Sequence, residues 1–377
     1  MGSLTHTSQS IALRVIGGSL GALLVLASQA AGQTTTPAPD KAPAAKAVAV
    51  KTAKVPDLHG SWTNATLTRL ERPAAYGARL EMTQAEAAGL EGEIAKADAL
   101  GRQPTAAGAT VKDLPADCSA GRGNNCNYNA AWTDSGSQVM TVNGQRRTSL
   151  ITLPADGHIP FTPELKARYD AARRNAVGTS QPSADYKEPP GVNDNPEGRS
   201  LSERCLIGFG YTGGPVMLPT LYNNTYEIVQ GKDAVAILVE MVHDVRIVRL
   251  NAQHRTDGVT PWLGDSIGWY EGQTLVVETT GYNPKEAFFG VSPKNLKVTE
   301  RFTRKGPNRM LYQFKVENPD AFTQPWGGEY EFRTASGPVY EYACHEGNYA
   351  LRNILAGARV KEKTAASAAS APPAKGE

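Results

Sequence analysis

Residues 226–250 read YEIVQGKDAVAILVEMVHDVRIVRL, and this stretch decides the fold class. Apolar and polar residues alternate in its first, middle and last parts, which is the period of a strand with one buried face. Gly231-Lys232-Asp233 breaks the pattern once, and His243-Asp244 breaks it again. Gly, Asp and Asn are turn residues, so the stretch predicts three strands joined by two tight connections.

The same pattern continues toward the C-terminus. Turn signals at Glu271-Gly272, at residues 305–308 (KGPN) and at Ser336-Gly337-Pro338 separate further alternating segments. The chain therefore predicts about nine strands in an antiparallel up-and-down meander. Closing into a barrel is the simplest way to protect the edges of so long a meander. The predicted strands are YEIVQ (226–230), AVAILVEM (234–241), VRIVRL (245–250), SIGWY (266–270), TLVVETT (274–280), LKVTERFTR (296–304), MLYQFKVEN (310–318), GGEYEFRT (327–334) and VYEYACH (339–345).

A few helices accompany the strands. Thr83 and Glu86 form a capping box that predicts a helix from TQAE onward. Thr162 and Pro163 are an N-cap and an N1 proline ahead of ELKARYDAARRNA. The segment YALRNILAGAR (349–359) has helical spacing and is expected to close the chain as a C-terminal helix against the barrel.

The two ends of the chain differ in composition from the middle. Residues 1–32 combine Arg14, an apolar run at 15–27 and small residues before a cleavage point, which predicts a Sec-type signal peptide. The protein is therefore expected to be periplasmic or secreted. Residues 33–56 and 361–377 are rich in Ala, Pro and Lys and are predicted to be disordered. Between them, residues 57–205 are expected to form a helical and loop region packed on a barrel of residues 206–360.

The four cysteines all lie in the mature region. An even count in an exported protein favours disulfides. Cys118 and Cys126 flank a short turn-forming stretch, so they are expected to pair with each other. Cys205 would then pair with Cys344 and connect distant parts of the chain, although other pairings remain open.

Two resemblances add to this reading. The sequence DLHGSWT (57–63) followed by a meander and a terminal helix is similar to the lipocalin-like (calycin) architecture, whose entry motif is Gly-x-Trp. More specifically, the chain resembles a family of exported proteobacterial and acidobacterial proteins, which implies export and a barrel and assigns no catalytic residue. The motifs that carry this second resemblance are LERP, RRTSLI, ERC, YEIVQ, EMVHDVRIV, WLGDSIGWYEGQTLVVET, VTERFTR and YEYACHEGNY.

The candidate catalytic residues are His243, Asp244, Arg246 and His345. The imidazole of His243 beside a carboxylate is a typical general base at a barrel mouth. The alternative is that Asp244 stabilises the turn through its own backbone while His243 is solvated. His345 is the final residue of the last predicted strand, and it would join the site only if the corner at His243 reaches it.

The candidate substrate-binding residues are Glu300, Arg301, Trp269 and Tyr342. Alternation places Glu300 and Arg301 on opposite faces of one strand, so only one of them can enter a lumen. A face that carries Glu, Arg and His inward would suit an oxygenated ligand or proton transfer. A lumen of Tyr, Phe, Val and Leu, with the charges in solvent, is the alternative.

Several functions have no support in the chain. The net charge of +2 gives no reason to expect nucleic acid, and the short apolar run predicts no stable membrane insertion. No metal-ligand spacing and no cofactor motif occurs, so no metal and no cofactor are expected.

The function predicted first is an exported, disulfide-stapled barrel enzyme that acts on a small oxygenated, aromatic or sugar-like substrate by acid/base chemistry, as a lyase, isomerase or hydrolase. A lipocalin-like carrier of an apolar or aromatic molecule is the second prediction, and an envelope interaction protein is the third. The oligomeric state has no signal in the sequence.

Overall fold

Twelve strands and three α-helices make up the described part of a computed structural model of the chain. The structure describes residues 55–101, 107–108, 110, 134–176, 191, 193–208, 213–284, 292–344, 346–347 and 349–370. The helices are α1 (Gln84–Gly101), α2 (Pro163–Ala176) and α3 (Ala350–Ser370). The strands are β1 (Gly60–Thr63), β2 (Thr141–Val142), β3 (Gln145–Arg146), β4 (Ile151–Leu153), β5 (Thr225–Gln230), β6 (Ala234–Val239), β7 (Val245–Leu250), β8 (Asp265–Glu271), β9 (Thr274–Thr280), β10 (Lys297–Gly306), β11 (Arg309–Glu317) and β12 (Trp326–Thr334).

Nine of these strands form a closed barrel, in the order β1-β5-β6-β7-β8-β9-β10-β11-β12, with β12 returning to β1. The predicted fold class, a mainly β barrel with a few helices and a C-terminal helix, is confirmed. β4 adds a short strand to β12, and β2 and β3 form a separate two-stranded hairpin.

One pair of neighbours in the barrel is parallel. Strands that simply alternate in direction cannot close a ring of odd number with antiparallel pairs alone, so a nine-stranded barrel needs one parallel pair. That pair is β7 and β8, in register from Val248 with Ser266 to Leu250 with Gly268. A parallel pair needs a crossover, and residues 251–264 supply it between the two strands.

The ninth barrel strand is the sequence GSWT rather than VYEYACH. β1 pairs with β5 through Trp62 and Tyr226 and with β12 through Trp62 and Thr334. Residues 339–344 form no strand, so the prediction of a strand there was wrong. β1 already pairs with both strands at the closure, and the alternation of VYEYACH finds no free edge. The barrel therefore includes residues ahead of the predicted barrel segment, 206–360.

The inward faces of the strands make the core. Along β10, Glu300, Phe302 and Arg304 share one face, as alternation predicts; this face points inward, and Phe302 is fully buried. Trp62, Tyr226, Tyr312, Tyr330 and Phe332 are also buried there. Aromatic rings touch one another across the interior, such as Tyr312 and Tyr330, whose ring centroids are 4.9 Å apart.

The helices follow their sequence signals. The capping box at α1 is formed, because Glu86 accepts the Thr83 backbone N–H at 2.8 Å and the Glu86 N–H donates to Thr83 Oγ1 at 3.2 Å. α2 begins at Pro163, as predicted. α3 continues to Ser370, so residues 361–370, which were predicted to be a disordered tail, are helical. No helix in the described part of the chain is long and apolar enough to cross a bilayer.

A disulfide joins Cys205 to Cys344, as predicted, across 139 residues of sequence. Cys205 leads into the chain that enters the barrel, and Cys344 precedes α3. Arg359 of α3 donates to the backbone oxygen of Asn193 at 2.6 Å, which also connects the helix to the segment ahead of Cys205. Cys118 and Cys126 lie outside the described residues.

Candidate functional site

A buried ion pair lies inside the barrel between β7 and β10. The two terminal nitrogens of the Arg246 guanidinium, Nη1 and Nη2, donate to the Glu300 carboxylate, and Nη2 lies 3.0 Å from Oε1. The side chains are 1% and 0% exposed, so neither charge reaches solvent. Burial alone would lower the pKa of Arg246, but the adjacent Glu300 carboxylate outweighs it and raises that pKa. The Arg246 guanidinium is therefore held in its charged form.

Four tyrosines surround this ion pair. Tyr312 donates its hydroxyl to Glu300 Oε1 at 2.8 Å. Burial, followed by the negative charge of Glu300, raises the pKa values of Tyr312 and Tyr282 well above the ordinary value. Burial also raises the pKa values of Tyr330 and Tyr226. All four hydroxyls are therefore protonated at neutral pH and are available as hydrogen-bond donors.

Asn64, directly after β1, completes the polar set. Its Nδ2 lies 3.4 Å from the Tyr226 hydroxyl, and its side chain is buried. We refer to the whole set as the lumen cluster. It consists of Asn64, Tyr226, Arg246, Tyr282, Glu300, Tyr312 and Tyr330.

The chain itself occupies the space in front of the lumen cluster. Residues 213–218, GGPVML, are here called the plug, and Val216 and Met217 are fully buried. The Met217 N–H donates to the Tyr312 hydroxyl at 3.2 Å. The Met217 carbonyl accepts from Tyr330 and, at 2.8 Å, from Asn64. Its sulfur accepts from Arg246 Nη2 at 3.2 Å, so one residue engages four members of the cluster.

The hydrogen-bonding capacity of the lumen cluster is not exhausted by the plug. Arg246 Nε and Asn64 Oδ1 are buried in the described part of the chain and have no hydrogen-bonding partner. Buried polar atoms are nearly always paired, because an unpaired one costs about 1–3 kcal/mol. Two such atoms lie in the lumen cluster, and one of them belongs to the buried ion pair. Since a buried ion pair contributes little net stability, this arrangement is typical of a site built for something other than stability.

His243 and Arg246 do not share a site. His243 ends a short 3₁₀ turn, Met241–His243, and is exposed, whereas Arg246 points into the barrel. Between them the chain passes from turn to strand, and that change sends the two side chains in different directions. Asp244 accepts the Gly208 N–H at 2.9 Å outside the lumen cluster. Burial raises the pKa of Asp244 despite that hydrogen bond and the nearby His243.

The predicted substrate-binding residues divide between the two faces of the sheet. Glu300 is in the lumen cluster. Arg301 and Trp269 lie on the outer face, where both bond to Glu271, at 2.7 Å and 3.0 Å respectively. Tyr342 is half-buried beside the disulfide, with its hydroxyl hydrogen-bonded to Tyr222. The structure therefore brings Arg246 and Glu300 together and places Arg301 and Trp269 elsewhere, while His345 lies outside the described residues.

Most of the lumen cluster was not predicted from the sequence. Tyr312 and Tyr330 could have been found by the alternation of β11 and β12, which turns both residues inward. Asn64 and Met217 had no such signal, because each lies outside a strand and reaches the lumen through a long-range chain path.

The opposite end of the barrel is closed by the Gly-x-Trp motif. The Arg304 guanidinium lies 4.9 Å from the centre of the Trp62 ring and donates to the Asp57 carbonyl at 2.9 Å. Gln230 bonds to both Tyr270 and Pro56 at 2.9 Å. This end is covered by residues 56–59.

A second polar group lies on the outer surface under the crossover. The two ring nitrogens of His254 lie 2.9 Å from Asp265 and 3.3 Å from Glu278. Burial alone would raise the pKa of Asp265, but hydrogen bonds from the Arg255 backbone, His254 and Arg249 hold it below the ordinary value. A cleft of about 460 Å³ opens nearby between β7, the crossover and Leu206. In the described ranges no group of three His, Cys, Asp or Glu residues is arranged to hold a metal ion.

In the part of the chain that the structure describes, the interior of the barrel thus holds a dense cluster of polar side chains. On the outer surface, Asp265 is paired with His254 and Arg249, and Glu271 with Arg301. No protein-family model, curated protein sequence or solved structure matches the chain.

Proposed function

We propose that the protein is an exported, lipocalin-like barrel that binds a small oxygenated molecule at the lumen cluster. The observation that carries this proposal is the fully buried Arg246–Glu300 ion pair with its ring of protonated tyrosines. Replacing a buried ion pair with apolar residues is often neutral or stabilising, so stability does not account for it. A site that must bind oxygen atoms away from water does account for it.

The cluster is rich in donors and poor in acceptors. Arg246, four phenolic hydroxyls and the Asn64 amide nitrogen can donate, and Glu300 is its single carboxylate. This balance favours a ligand that carries carbonyl, carboxylate or hydroxyl oxygens over a purely apolar one. The predicted export, the disulfide and the barrel are consistent with a periplasmic or secreted binding protein.

Acid/base catalysis in the same lumen is the second candidate function. Its support is the contact of the Tyr312 hydroxyl with Glu300 at 2.8 Å, beside the Arg246 charge. A phenol whose pKa is raised by burial can donate a hydrogen bond, but it is a weak acid and, being protonated at neutral pH, cannot act as a base. The exposed position of His243 leaves this second proposal without the general base expected from the sequence.

A thermal-shift screen tests the proposal. Carboxylic acids, amides, phenols and sugars are added singly to the full-length mature protein and to Tyr312→Phe. We expect at least one class to raise the Tm of the unaltered protein and to lose most of that effect in Tyr312→Phe. Compounds that raise both Tm values equally, or a screen without a stabilising compound, would overturn the proposal. Consumption of a stabilising compound during incubation would favour catalysis.

A further inference from the structure

The plug has the hydrogen-bonding pattern of a ligand. The Met217 peptide offers a carbonyl to Tyr330 and Asn64, an N–H to Tyr312 and a thioether sulfur to Arg246. A single residue of the plug thus forms hydrogen bonds with both donors and acceptors of the lumen cluster. The cluster is thus complementary to an amide that is flanked by an apolar arm.

We propose that the plug is an internal, autoinhibitory occupant and that the external ligand is an N-acylated amino acid or a similar amide, which binds when the plug withdraws. This inference rests on the proposed function of the lumen cluster. The ligand's carbonyl replaces that of Met217 at Asn64 and Tyr330, and its N–H replaces the Met217 N–H at Tyr312. Arg246 Nε and Asn64 Oδ1, which have no partner beside the plug, provide additional contacts for the ligand.

Two adjacent glycines at the N-terminal end of the plug give its backbone conformational freedom. Gly213 and Gly214 are adjacent, and Gly214 has a φ of +68°, a conformation that residues other than glycine rarely adopt. A Cβ on Gly214 would lie 2.8 Å from Met217 Cγ, so the plugged conformation depends on the absence of a side chain there. Asp244 holds the Gly208 N–H close to this hinge.

Withdrawal of the plug sets the affinity for the ligand. When a site is open for only a fraction of the time, the apparent Kd is the intrinsic Kd divided by that fraction. A change that destabilises the plugged state, and leaves the lumen cluster intact, must therefore tighten binding. Gly214→Ala is such a change because it strains the plug and removes no group of the cluster.

The experiment measures the binding of N-acetyl-L-methionine methylamide by calorimetry to the full-length mature protein, to Gly214→Ala and to Gly258→Ala. Gly258 also has a positive φ, of +78°, and a Cβ there would meet no atom within 4 Å. Gly258→Ala is therefore the control, because it introduces the same backbone strain at a position outside the plug. We expect about tenfold tighter binding to Gly214→Ala, because alanine is strained in this left-handed conformation, and no change for Gly258→Ala.

Hydrogen exchange in the unaltered protein provides the second measurement, which needs no variant to fold. Adding the probe at a saturating concentration should speed up hydrogen exchange at the Met217 amide, since its partner Tyr312 is then bound to the probe. If the unaltered protein and Gly214→Ala bind the probe equally well, and the exchange rate of the Met217 amide does not change, the autoinhibitory role of the plug is wrong. The proposed function of the lumen cluster would still stand. Absence of probe binding to every form, when another class stabilises the protein in the thermal-shift screen, would overturn the amide assignment alone. Absence of any ligand in both experiments would overturn both proposals.

Discussion

Arg246 and Glu300 depend on each other, because each is buried with the other as its charged partner. Arg246→Met would leave the Glu300 carboxylate buried and unpaired, so we expect the free energy of unfolding to fall by about 3–5 kcal/mol. The double variant Arg246→Met/Glu300→Leu removes both charges and should recover most of that loss. Urea denaturation measures all three proteins. A double variant no more stable than Arg246→Met would contradict this account of the pair.

Asp244 gives a prediction at the same scale, with a defined pH dependence. Burial raises its pKa above the ordinary 3.8, so its charge costs stability. That cost is absent below the unfolded pKa and fully present above the folded pKa. Asn in its place can still accept the Gly208 N–H, so Asp244→Asn should have the higher Tm at pH 7. The difference should vanish near pH 3, and a difference independent of pH would contradict the assignment.

Some residues of the candidate site can be predicted from the sequence and others cannot. Alternation correctly placed Glu300 and Arg301 on opposite faces of one strand, since that needs only the strand and its period, but it left open which face points into the barrel. The proximity of His243 and Arg246 along the chain suggested one site, but a turn with a positive φ at His243 separates them in space. Met217 reaches the lumen cluster through the path of the loop that carries it, and no local sequence pattern predicts that path.

At the scale of elements, two adjacent glycines in β12 allow the neighbouring backbone to approach this strand closely. A Cβ on Gly328 would collide with the Leu150 carbonyl oxygen, and one on Gly327 would collide with that of Phe314. Gly328→Ala should therefore force β4 away from β12 and cost at least about 1–3 kcal/mol. Gly337→Ala is the matched control, because its nearest contact would be 3.9 Å away in an exposed turn. Equal Tm values for the two variants would contradict the close approach.

The predicted elements were largely correct, and the exception has a physical cause. Eight barrel strands and the starts of α1 and α2 follow from alternation, turn residues and caps. The ninth strand is only four residues long and lies far ahead of the others, so its pairing depends on closure of the whole sheet. VYEYACH alternates as well as the true strands do, but β1 already pairs with both β5 and β12.

At the scale of the whole molecule, the Cys205–Cys344 disulfide joins the approach to the plug with the start of α3. A cross-link over 139 residues restricts the unfolded chain strongly. Cys205→Ser/Cys344→Ser should lower the free energy of unfolding by about 2–5 kcal/mol. The barrel hydrogen bonds do not involve either residue, so the far-ultraviolet circular dichroism should stay that of a β protein. Unchanged stability would show that the cross-link constrains little.

The molecule as a whole combines a sealed end at Trp62 and Arg304 with a plugged end at the lumen cluster. The most direct measurement of the central claim is a calorimetric titration of the best compound from the thermal-shift screen. The unaltered protein should bind it, and the folded double variant Arg246→Met/Glu300→Leu should bind at least about a hundredfold more weakly, since charge-assisted hydrogen bonds are lost. Equal affinity of the two proteins would contradict the claim that the buried ion pair is there to bind a ligand.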